Sequence, residues 1–132
     1  MKYNILFTAT IISVIFSSCQ KKDHEGFDSR QLHVIVSKPT EAQVFSKGDT
    51  VQIKGSIDYI SQLHGYSISI ADKKTNEVYY DLDEHLHDAS FSINTYWVDT
   101  LSENAELVLK IVAEADHEGH ESSKEVNFTS KP

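Results

Sequence analysis

The chain has 132 residues, a formal net charge of −8 from twelve Lys and Arg against twenty Asp and Glu, and a single cysteine. Acidity without a basic cluster argues against nucleic acid and anionic lipid surfaces as partners, because both are bound by lysine and arginine displacing counterions. One cysteine allows no internal disulfide, and the length left after any leader suffices for one domain, not two.

The first element in chain order is an export signal. MKYNILFTATIISVIFSSC has a short n-region with Lys2, an apolar stretch from Ile5 to Phe16, and then Ser17-Ser18-Cys19. As a helix, Ile5 to Phe16 would rise only about 18 Å, short of the roughly 30 Å hydrocarbon core of a bilayer, so a removable signal over 1–18 fits better than a membrane span. Small residues before a cysteine resemble the lipobox of bacterial lipoproteins, with Phe16 where that pattern usually has Leu. The resemblance implies lipid attachment at Cys19, which becomes the new N-terminus. A free thiol is a liability in an oxidising compartment, whereas an acylated one is an anchor to the membrane. Loss of Lys2 with the signal leaves eleven basic against twenty acidic side chains, a charge of −9.

Residues 19–31 follow as a polar tether with the lone Phe27, too poor in apolar surface to order itself. Its Cys-Gln-Lys-Lys-Asp-His-Glu start resembles the tags behind the lipidated cysteine in lipoproteins of the Bacteroidota, which implies the outer membrane, at its periplasmic face or the cell surface.

From 32 to 132 apolar residues alternate with polar ones at period two, the mark of half-buried strands. Leu32, Val34 and Val36 share a face, as do Val51, Ile53 and Ile57, then Tyr66, Ile68 and Ile70. EVYYDL is a weaker run. Phe91, Ile93 and Trp97 oppose Ser92, Asn94 and Tyr96. Leu107, Leu109, Ile111 and Ala113 point inward from AELVLKIVAEA, and Val126 with Phe128 form a last strand. The run from Asn104 to Ala115 also has helix-forming composition. The strand lengths of its neighbours and the hairpin-like HEGH behind it favour a strand. About seven antiparallel strands at roughly ten-residue spacing predict an all-β, immunoglobulin-like β-sandwich.

Pro39, Val44-Phe45, Gly48-Asp49-Thr50-Val51, Ile53, Gly55 and Leu63-His64-Gly65-Tyr66 resemble small immunoglobulin-like lipoproteins of the Bacteroidota. That resemblance implies the fold and export, and no catalytic residues. From the residues themselves, Gly48-Asp49 is a turn, Gly55 marks a bulge or a close neighbour, and Trp97 belongs to the core.

Seven histidines remain to be placed. In immunoglobulin strand order, His64 closes one connection, His85 and His87 fill a second, and His117 and His120 make a third, all at one end of the sandwich. Five imidazoles therefore converge on that end, and three or four of them would suit zinc or copper. Gly119 supplies a left-handed residue between His117 and His120. Asp83, Glu84, Asp88, Asp116, Glu118 and Glu121 are placed to ligate or to orient the rings. A calcium site from Asp81, Asp83, Asp88 and Asp116 is a weaker pattern. Solvated polar loops are the plain alternative for the same residues.

No serine-hydrolase elbow, phosphate loop, dinucleotide fingerprint or reactive thiol appears, so the expectation is a protein without catalytic activity. Two functions of different class follow. One is an envelope module binding a divalent transition metal through His64, His85, His87, His117 and His120. The other is a structural or adhesive module that meets a protein or glycan partner without metal.

Overall fold

The computed structural model describes residues 27–132. The signal over 1–18, Cys19 with its lipidation, and the first part of the tether with His24 lie outside the described residues.

Alternation at period two produces strands wherever it was expected. A 3₁₀ turn over Ser29–Gln31 leads into β1 (Leu32–Lys38), β2 (Gln43–Phe45), β3 (Thr50–Tyr59), β4 (Gly65–Asp72), β5 (Val78–His85), β6 (Ser90–Val98), β7 (Ala105–Glu114) and β8 (Glu121–Ser130). They form two sheets, ordered β1-β3-β6 and β2-β8-β7-β4-β5, packed as an immunoglobulin-like sandwich. The inward residues of each run meet in one core, in which Ile53, Ile57, Ile68, Ile70, Leu109 and Ile111 are completely buried.

The segment with helical composition becomes β7, a strand in the middle of the larger sheet. It pairs with β8 along its whole length and with β4 from Leu107 to Glu114, so neighbours on both sides satisfy its backbone groups there. Its outward residues Val108 and Val112 are half-buried. Tertiary pairing outweighs the weak helical propensity of the run.

The structure adds an eighth strand. Pro39 has no N–H to donate and ends the β1 ladder, after which the chain crosses to the other sheet. There β2 runs parallel to β8, with Gln43 opposite Phe128. The crossing drops Phe45 into the core, edge-on to Phe128 at 5.6 Å between ring centroids. Three residues are too few to display a period, which is why β2 is absent from the sequence pattern.

Trp97 is buried as expected and lies near-parallel to Tyr79 at 6.4 Å, while Tyr96 faces outward at 62% exposure. Tyr80 and Thr95 share a hydrogen bond of 3.1 Å between their hydroxyls, joining β5 to β6 across the open side of the sandwich.

Gly55 answers to a close neighbour: a Cβ built there would stand 2.2 Å from the Ile35 carbonyl oxygen of β1. The obstacle is backbone, which no rotamer change can move. Gly55→Ala is expected to lower stability by about 1–3 kcal/mol, an overpacking cost readable in urea denaturation.

Candidate metal centre

Connections β3–β4, β5–β6 and β7–β8 share one end of the sandwich. The chain also enters β1 there, because Leu32 pairs with Tyr59 at the end of β3. Backbone hydrogen bonds bind these connections to one another. His64 N–H donates to the Glu114 carbonyl at 2.8 Å, and Leu86 N–H donates to the His64 carbonyl at 3.2 Å. Leu63, buried at 1% exposure, donates its N–H to the Asp88 carbonyl at 3.1 Å. His64 is thereby fixed between the ends of β5 and β7, at the base of β4. Opposite Gly65 stand His85 on one side and Glu114 on the other.

Three of the other four expected imidazoles gather around His64. Its ring centroid lies 3.7 Å from that of His117, 4.9 Å from His85 and 6.1 Å from His87. The interplanar angles, 51°, 54° and 48°, tilt each ring against the hub. His85, His87 and His117 are exposed and free to turn, while His64 is half-buried. A cleft of about 360 Å³ opens here, lined by His64, His85, Glu114, Asp116, His117 and His120.

Burial pushes the His64 ring below the usual histidine pKa, and the neighbouring imidazoles of His117 and His85 add to that effect. The Glu114 carboxylate works the other way. The net result favours neutral imidazole, the form that binds metal.

His120 is placed differently. Its Nδ1 lies 2.7 Å from Asp116 Oδ2, and its ring is stacked on Phe27 at 4.7 Å with 16° between the planes. Asp116 Oδ1 accepts the N–H of Glu118 at 2.8 Å and of His120 at 3.3 Å, closing the β7–β8 turn. These bonds, the His120 ring first among them, hold the Asp116 carboxyl below its usual range. Gly119 adopts φ +88°, the left-handed backbone expected of it.

Asp116, Glu118 and His120 form the one group of three among the described residues whose ligating atoms all lie within 4.8 Å of one another. Both Asp116 oxygens already serve the turn, so this trio is first a loop clamp. Of the carboxylates considered for calcium, only Asp116 belongs to it. Asp83 approaches His85 at 3.8 Å with both side chains largely exposed, an ion pair of little weight.

Two participants were not visible as such in the sequence. Glu114 reads as a strand residue and lines the cleft because β7 ends there. Phe27 reads as a stray aromatic in a tether, yet it packs against Tyr59 and His120. A larger cleft, about 640 Å³ at the opposite end, is bordered by Asp72, Lys73, Lys74, Glu106 and Lys131, whose mixed charges provide no convergent ligand set.

No protein-family model and no curated protein matches the chain.

Proposed function

We propose that this chain is a cell-envelope lipoprotein, anchored to the outer membrane through Cys19, whose sandwich binds a divalent transition metal and catalyses no reaction. The observation that carries the reading is the gathering of His85, His87 and His117 around His64. Imidazole suits zinc and copper, with copper favoured at equal geometry. Zinc held by nitrogens at about 2.0–2.1 Å needs three or four rings turned to one point, which the exposed rings reach by rotamer changes. Tether and imidazoles share one end of the domain. Extended, the eight residue-to-residue steps from Cys19 to Phe27 span at most about 29 Å, so the metal end is held close to the membrane from which ions are delivered or to which they are passed.

Native mass spectrometry of residues 20–132 with substoichiometric Zn²⁺, then Cu²⁺, at neutral pH tests the reading. A one-to-one adduct that vanishes in the His64→Ala/His117→Ala double variant is expected. No adduct beyond that of a histidine-poor control overturns it.

That second outcome would favour an adhesive module, for which the outward face of β3 and β6 is the motivating feature. There the exposed Tyr96 stands opposite Gln52, an aromatic and an amide suited to a sugar or a protein surface.

A further inference from the structure

We infer that His120 is a positioning residue and not a ligand: clamped between Asp116 and the tether residue Phe27, it sets the β7–β8 loop so that His117 lies against His64. The inference rests on the metal-binding reading and assigns separate roles to the two histidines of that loop.

The loop has few other restraints. Between the last β7 residue, Glu114, and the first of β8, Glu121, one backbone bond crosses it, from Ala115 N–H to the His120 carbonyl at 2.8 Å. His117, Glu118 and Gly119 at its tip are exposed. What shapes the tip is Asp116, which receives two backbone N–H groups on one oxygen and the His120 ring on the other. His120 cannot swing away without leaving the Phe27 ring, which is itself half-buried against Tyr59 and the core. With Nδ1 taken by Asp116 and one face covered by Phe27, His120 borders the same cleft as His64 without a described ring contact to it. The His117 ring, three residues earlier, lies 3.7 Å from the His64 ring.

Phe27 is also where the tether joins the domain. The contact therefore ties the anchor segment to the imidazole cluster: whatever pulls Phe27 from its seat frees the His120 ring and lets His117 wander. Partners that orient ligands in this way are worth about 10–100-fold in metal affinity when removed.

The test uses residues 20–132, which contain every strand and the whole core. Phe27→Ala and His120→Ala are compared with His117→Ala by Cu²⁺ competition titration and by the nitrogen hyperfine pattern of the bound Cu²⁺. Phe27→Ala and His120→Ala are expected to weaken binding about tenfold each with the parent's number of coordinated nitrogens retained, while His117→Ala loses one. A nitrogen lost in His120→Ala makes His120 a ligand and overturns the inference, as does unchanged affinity in both variants. Metal-free protein provides an independent arm through the nuclear Overhauser effect between the His64 and His117 rings. It is expected in the parent and absent from Phe27→Ala and His120→Ala, and its persistence in both variants overturns the positioning role. Failure of the parent to bind Cu²⁺ would overturn the metal reading instead, with the ring contact still deciding whether His120 positions His117.

Discussion

His64→Ala is expected to weaken Zn²⁺ or Cu²⁺ binding on the order of 100-fold, about 2.8 kcal/mol, more than the loss of any other single imidazole. The asymmetry comes from position. Three rings touch His64 at 3.7, 4.9 and 6.1 Å, whereas the described contacts of His85, His87 and His117 with other imidazoles all run to that one ring. His64 is also the only member held by main-chain bonds on both sides, to Glu114 and to Leu86, so its ring is the least mobile of the four. Removing a mobile outer ring leaves three that can rearrange; removing the hub leaves three with no common neighbour. The fold should not suffer, because both anchoring bonds belong to the backbone and survive in alanine. Competition titration against a chelator of known affinity, with thermal unfolding as control, measures both quantities. A loss no larger than that of His87→Ala would show that no ring is central.

Ile111→Ala is expected to destabilise the domain by about 3–4 kcal/mol. Ile111 lies at the middle of β7, opposite Ile68 of β4, with no solvent exposure, and its side chain faces the smaller sheet. Truncation removes transfer free energy and leaves a cavity that strands paired on both edges cannot close. For a domain near a hundred residues this corresponds to a melting temperature lower by roughly 15 °C or more. Val112→Ala, one residue on and facing out, is expected to cost less than about 1 kcal/mol. The pair of variants, measured by urea denaturation with a common slope, also tests the strand assignment itself. In a helix the two residues would not part so sharply between inside and outside. Equal losses would contradict the period-two arrangement.

The contrast between Ile111 and Val112 is readable in the chain because burial in a sheet repeats every second residue, so a sandwich core is written as local alternation. Phe91, Ile93, Trp97, Val126 and Phe128 all turn inward as that pattern requires. β2 escapes it, since Gln43–Phe45 is too short for a period and owes its strand geometry to β8, far along the chain. The run at Asn104–Ala115 carries helical composition, yet the strand lengths around it and the HEGH turn behind it already favour the strand that pairing with β4 and β8 makes of it.

The histidine end divides in the same way. Strand order sends the connections with His64, His85, His87, His117 and His120 to one end, and the order follows from the succession of strands. Which rings then touch is a matter of a few ångströms set by loop hydrogen bonds and side-chain rotamers. His117 and His120 look equivalent three residues apart, yet one meets His64 and the other meets Asp116 and Phe27. Alternating hydrophobicity and turn residues thus determined the sandwich, its core and the end at which the imidazoles collect. The partner of each ring, the place of Glu114 and the docking of Phe27 were decided by tertiary structure alone, because contacts between residues distant in sequence leave no period in the chain that makes them.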